Sequence, residues 1–202
     1  SDGTFLVAHL DAESGGVYRL GPQGSVTPVL TEIDGKPLPP TNYVIEDDAG
    51  RLWITVSTWL SPRARGYRAD VADGFVVLVD RRGARIVADG LGYTNELALH
   101  PSGRWLWVNE TFGRRLSRFA VRDDGTPGPR QTVTTFGTGF FPDGLAFDAE
   151  GHAWVVSIVS NRIVRVAPDG EQQPVLEDAD PAHVTAIRCD RFGNSQTSEM
   201  SQ

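Results

Sequence analysis

Hydrophobic and polar residues alternate along this chain in short runs, and apolar stripes with the period of a helix are absent. Phe5-Leu-Val-Ala8, Arg51-Leu-Trp-Ile-Thr55, Arg104-Trp-Leu-Trp-Val108 and His152-Ala-Trp-Val-Val156 are β-branched or aromatic runs bounded by turn residues. Runs of that length and composition predict strands, so the chain is expected to be all-β. One stretch reads directly as four strands, Gly144–Asp148, Ala153–Ile158, Arg162–Ala167 and Gln173–Leu176, with Pro168-Asp-Gly170 as a turn.

The strands recur in a longer unit. Asn42, Asn95 and Asp143 each stand eight residues before a turn glycine, Gly50, Gly103 and Gly151, and a Trp-bearing apolar strand follows each glycine. A fainter copy runs Thr185 to Gly193, and Gly3 ahead of Phe5 looks like the turn of another. The glycines at 3, 50, 103, 151 and 193 are spaced by 47, 53, 48 and 42 residues, close to the roughly 40–50 residues of one four-stranded propeller blade. A single twisted sheet cannot bury both faces, whereas neighbouring blades bury them together. The expectation is a β-propeller of four-stranded blades, of which this chain supplies about four, in one domain over residues 1–193.

The longest period holds an insertion, Trp59 to Asp70, too polar for a strand and expected as a lid or rim loop or a surface excursion. Sixteen strands are expected: three at the start, twelve in the middle and one late. The late strand either completes the first blade or leaves an open ring that self-associates through its edges. Residues 194–202 are polar, carry no strand pattern and are expected as a loose tail.

Composition narrows the function classes. No apolar run approaches the ~20 residues that span a bilayer, so no membrane insertion is expected. The formal charge of −7, from 26 acidic and 19 basic residues without a Lys/Arg block, argues against nucleic acid as a partner. The single Cys189 cannot form an internal disulfide or a Cys-based zinc knuckle. The chain opens at Ser1 without a signal-like stretch, which is expected of a processed start or of a piece of a longer protein. Compartment stays open, with the cytoplasm favoured for a soluble chain.

Pro-Thr-Asn42, Tyr-Thr-Asn95-Glu-Leu-Ala-Leu and Phe-Pro-Asp143-Gly-Leu-Ala-Phe-Asp resemble motifs of the gluconolactonase, regucalcin (senescence marker protein) and luciferin-regenerating-enzyme family, over roughly residues 3–176. The resemblance implies a six-bladed propeller with one divalent metal, calcium or zinc, held in the central channel by a Glu, an Asn and an Asp. It makes Asn95 a metal ligand, Asp143 a metal ligand and catalytic base, and Asn42 a substrate contact. The chain departs from the pattern in places. The family's metal-binding Glu has no match, because its position would precede Ser1. Pro39, Pro40 and Thr41 stand where some members carry an Arg, and Glu96 replaces the glycine usual after the metal-binding Asn. About two blades are missing against six.

Amide and carboxylate oxygens at Asn42, Asn95 and Asp143 suit a hard cation such as calcium. A metal there would polarise a lactone carbonyl while a carboxylate deprotonates water. The same residue types also open strands because they shape turns and cap backbone amides. Asp47, Asp48, Asp148 and Asp190 are expected at solvent-facing hairpin turns. His9, His100, His152 and His183 lack paired zinc spacing, and surface positions are their default. Ser57, Ser117 and Ser157 lack a nucleophile elbow. The five Trp residues are expected to pack between blades.

Three functions compete: a metal-dependent hydrolase of small cyclic esters, a gluconolactonase-like lactonase; a small-molecule enzyme similar to strictosidine synthase, suggested by Asn109-Glu110-Thr111 followed by Arg118-Phe119; and a non-catalytic binding or scaffold propeller, akin to NHL-repeat proteins, or an inactive lactonase fragment.

Overall fold

The computed structural model describes residues 3–177, 184–189 and 195–199, and the chain divides into two compact units, Ser1–Leu97 and Ala98–Gln202. The first unit opens with an antiparallel sheet of order β1 (Phe5–Leu10), β2 (Gly15–Leu20), β3 (Val26–Leu30). A two-stranded ribbon follows, β4 (Glu32–Ile33) and β5 (Lys36–Pro37). Then comes a four-stranded sheet in sequence order: β6 (Thr41–Glu46), β7 (Leu52–Val56), β8 (Gly74–Asp80) and β9 (Gly83–Leu91). Every residue of β7 is buried, which is why its sequence is apolar at every position but Thr55 rather than alternating. Val17, Leu38, Ile54, Val56, Phe75 and Val77 form the core between the two sheets.

The third sheet begins on β10 (Thr94–Leu99), the strand within which the division falls, and continues through β11 (Trp105–Glu110), β12 (Arg115–Val121) and β13 (Pro127–Thr135). The fourth contains β14 (Pro142–Phe147), β15 (Ala153–Ser157), β16 (Arg162–Val166) and β17 (Gln172–Leu176), again in sequence order. These match the four strands expected there to within two residues. The core of the second unit joins Trp107, Leu116, Phe136, Phe140, Leu145 and Val155. Among the described residues no helix is long and apolar enough to cross a membrane.

The repeat glycines sit in left-handed turns, with φ of +74° at Gly3, +71° at Gly50, +68° at Gly103 and +82° at Gly151, a conformation in which a Cβ is strained. Gly193 lies outside the described residues. The strand count differs from the expected sixteen. The β4–β5 ribbon turns through Asp34 and Gly35, both at positive φ. The late strand β18 (Val184–Cys189) pairs antiparallel with β19 (Ser195–Glu199), whereas the first sheet has the order β1-β2-β3. Part of the expected loose tail is thus a strand, since main-chain pairing needs no hydrophobic pattern.

The acids assigned to solvent-facing turns need correction. Asp148 is 3% exposed and the Asp47 side chain 4% exposed. Asp47 accepts from the Ala49 and Arg51 amides, the Arg51 guanidinium and Trp53 Nε1 (2.9 Å). Asp148 accepts from the Glu150 and His152 amides, Trp154 Nε1 (2.9 Å) and Arg165 Nε (2.8 Å). Each Asp thus ties a hairpin turn to the Trp of the next strand. In the middle repeat His100 holds the turn through Ser102, and Leu106 stands in the Trp position. His100 also packs against Phe147 (ring centroids 5.0 Å) rather than lying free on the surface. Asp190 and His183 lie outside the described residues.

Candidate active site

The repeats led by Asn42 and Asp143 share a backbone irregularity invisible in the sequence. Thr41 pairs with Val56 and Tyr43 with Thr55, so Asn42 is the extra residue of a bulge between β6 and β7. Pro142 pairs with Ser157 and Leu145 with Val155, so the extra residue between β14 and β15 falls at Asp143 or Gly144. Bulges re-aim side chains and gather near functional sites.

In the first unit the structure brings Asn42 to the start of β10. Asn42 Nδ2 donates to Ser57 Oγ (3.2 Å), and Ser57 Oγ donates to the Thr94 carbonyl (3.0 Å). Thr94 returns a bond from its own Oγ1 to the Val56 carbonyl (2.5 Å). Asn95 follows Thr94 and is 5% exposed, whereas Asn42 is half-buried. Gly74 is required here: a Cβ on it would fall 2.6 Å from the Ser57 carbonyl oxygen and 2.9 Å from the Thr94 nitrogen. Gly15 meets the same constraint at Pro39, whose carbonyl oxygen would lie 1.7 Å from an added Cβ.

In the second unit Asp143 is half-buried and its main chain is held from β11. Asn109 Nδ2 donates to the carbonyls of Asp143 (2.8 Å) and Gly144 (3.2 Å), and Thr111 Oγ1 donates to the Pro142 carbonyl (2.8 Å). Asn109 of β11 and Thr111, one residue past its end, therefore secure three successive carbonyls around the bulge. Asn109 is fully buried, yet its Oδ1 has no hydrogen-bond partner among the described residues. Both neighbours of Nδ2 are acceptors, which fixes the amide orientation. Glu110, between them, faces the other way and pairs with Arg115 (Nε 2.9 Å) and Ser117 Oγ (2.5 Å). Arg118 stacks over Trp105 (4.5 Å) and reaches the Pro168 carbonyl. The Asn109-Glu110-Thr111 and Arg118-Phe119 motifs thus have structural work within the sheets.

Sequence reading passed over Asn109 and Thr111 as site supports, and with them Thr94 and the bridging role of Ser57. The available signal was the recurrence of polar residues at or just past the ends of second strands, Ser57-Thr58, Asn109-Glu110-Thr111 and Ser157.

The Asn95 amide and Asp143 carboxylate offer oxygen donors, and a divalent cation of the calcium type fits that chemistry. Among the described residues, Asp148, Glu150 and His152 form a group whose donor atoms lie within 4.8 Å of one another. Both Asp148 oxygens are already engaged by turn amides, Trp154 and Arg165, so this group is a turn lock. Burial pushes the Asp148 carboxyl up, but the bonds from Trp154 and Arg165 outweigh it and hold its pKa at about 2.

Repeated four-stranded antiparallel sheets, each led by a polar residue on its first strand, define a β-propeller protein. The chain belongs to the SMP-30/gluconolactonase/LRE-like family, whose model matches residues 2–190. It is 32% identical over 173 residues to a 6-deoxy-6-sulfogluconolactonase of Pseudomonas putida, a match covering 84% of this chain and 55% of the relative. A gluconolactonase structure from Xanthomonas campestris superposes with a TM-score of 0.76 at 21% identity, covering 96% of this chain and 65% of that one. Regucalcin from Agrobacterium tumefaciens, described as a calcium-binding protein, gives a TM-score of 0.69 at 20% identity, covering 93% and 63%. The chain spans about half the length of the curated relatives it matches.

Proposed function

We propose that the chain serves a metal-dependent hydrolase of small cyclic esters, a gluconolactonase-like lactonase, with Asn95 and Asp143 as ligands of one divalent cation, calcium ahead of zinc. The family match and the sulfogluconolactonase relative support the reaction class. The observation that carries the site assignment is the bulge at Asn42 and its counterpart at Asp143 or Gly144, each at the residue or motif that leads its repeat.

A bound cation would polarise the lactone carbonyl. The chain's own contributions are these. The Asp143 carboxylate takes a proton from the attacking water as the water oxygen bonds to the carbonyl carbon. The ring C–O bond then breaks, and the same proton passes to the leaving alkoxide. Asn42, tied to Ser57, orients the substrate through its amide. The tether from Asn109 and Thr111 keeps the Asp143 backbone in place through the cycle.

Titration with calcium, zinc and manganese by calorimetry, followed by turnover of a lactone panel, tests the reading. Asp143→Asn is expected to lower the rate by about 10²- to 10⁴-fold, and Asn95→Ala to weaken metal binding. No metal binding at near-millimolar concentration would refute the metal site, and undiminished turnover in Asp143→Asn would remove its role as base.

A further inference from the structure

The loop between β7 (Leu52–Val56) and β8 (Gly74–Asp80) is the longest connection within the second sheet. Thr41 pairs with Val56, so the chain leaves β7 at the end of the sheet where β6 begins. Residues 57–73 therefore rise from the edge that carries Asn42.

This loop is anchored rather than a loose excursion. Thr58 Oγ1 donates to Asp73 Oδ1 (2.7 Å) and the Trp59 amide to Asp73 Oδ2 (3.0 Å). The Trp59 ring stacks on Phe75 with centroids 4.6 Å apart. At its crest, within the 3-10 turn Arg63–Gly66, the Arg63 amide donates to the Ala12 carbonyl (2.7 Å).

The anchoring presents one guanidinium. Arg63 Nη1 donates to Tyr93 Oη (3.1 Å), and the group lies 5.8 Å from the centroid of the Tyr67 ring. Tyr93 is 3% exposed, has φ +63° and immediately precedes Thr94 and Asn95. Burial raises the Tyr93 phenol to about 12, so at neutral pH it orients the arginine without neutralising it. Asp11 is the carboxylate whose charge Arg63 feels, but among the described residues no acid stands within ion-pair distance of it. The other loop arginines are engaged: Arg68 pairs with Asp70, and Arg65 turns back to the Ser61 carbonyl. Arg63 Nε and Nη2 have no protein partner among the described residues. A half-buried arginine fixed by a neutral phenol, with donors to spare, has the chemistry that suits an oxyanion.

We propose that Arg63 binds an anionic substituent of the substrate, a sulfonate, phosphate or carboxylate remote from the ester, so that acidic sugar lactones are preferred over neutral ones. The proposal rests on the lactonase reading for its reaction, but its recognition step can be measured without turnover.

The test compares glucono-1,5-lactone with its 6-phospho derivative in the wild type, Arg63→Gln, Arg63→Lys and Tyr93→Phe, with melting curves to confirm folding. In Arg63→Gln, KM for the phosphorylated lactone is expected to rise about 10- to 100-fold with kcat kept, and the neutral lactone to be unaffected. Arg63→Lys should recover part of the loss, and added salt should weaken the wild-type preference. Equal loss for both lactones, or none for either, overturns the proposal. Calorimetry with 6-phosphogluconate and gluconate provides the second readout. If neither lactone turns over, the lactonase reading fails by itself. A wild-type preference for 6-phosphogluconate that vanishes in Arg63→Gln still supports the receptor, and lack of that preference overturns it.

Discussion

Asn109 donates its side-chain amide to the main-chain carbonyl of Asp143 at 2.8 Å, joining two adjacent sheets of the second unit at the bulge beside the proposed base. A fully buried amide oxygen without a partner costs about 1–3 kcal/mol. A leucine would avoid that cost, so the asparagine is best explained by what its nitrogen does. Asn109→Leu is expected to leave stability within about 2 kcal/mol of the wild type while lowering kcat about 10- to 100-fold, with partial recovery in Asn109→Gln. Parallel urea unfolding and steady-state kinetics check this, and unchanged kcat would reduce the residue to packing.

The turn lock at Asp148 gives a pH dependence with a definite sign. Its carboxyl titrates near 2 in the folded protein against an ordinary 3.8. The ionised form therefore stabilises the fold above about pH 4, and that contribution is lost as pH falls toward 2. In Asp148→Asn the fall in stability between pH 4 and 2 should be shallower, and stability at neutral pH lower. Thermal melts across that range measure both, and identical acid limbs would contradict the assignment.

Glu110 is fully buried and held by Arg115, with Arg130 at 3.8 Å as a weaker neighbour. Arg115→Ala removes the main partner of a buried charge and is expected to cost about 3–5 kcal/mol. Replacing both, as Glu110→Leu with Arg115→Met, should recover most of that loss, because an apolar pair needs no compensation. Urea midpoints of the two variants decide it; a double variant no more stable than Arg115→Ala would show that the pair has another role.

The repeat architecture was legible from residues 42–50, 95–103 and 143–151 because a blade needs a turn glycine and an apolar strand at fixed spacing. The register was not. Whether Asn42 or Asp143 falls at a bulge depends on which residues face it across the ladder, and no local pattern records that. The buried state of Asp47 and Asp148 was missed because Asp near a turn glycine normally faces water. The Trp six residues on was visible, but its indole N–H reaching back to the carboxylate is a tertiary fact. Arg63 was equally unreadable, since its significance comes from Tyr93, thirty residues away in sequence.

The two ends of the β6–β7 pair are built to different standards. At one end Asp47 fastens the turn to Trp53 with short, shielded bonds. At the other lie the bulged Asn42, the shared Ser57 and the long excursion bearing Arg63. A lineage can therefore lengthen, trim or recharge that excursion while the fastened end continues to dictate how the strands assemble. Changes in ligand preference should accordingly accumulate in residues 57–73, leaving Asp47 and Trp53 untouched.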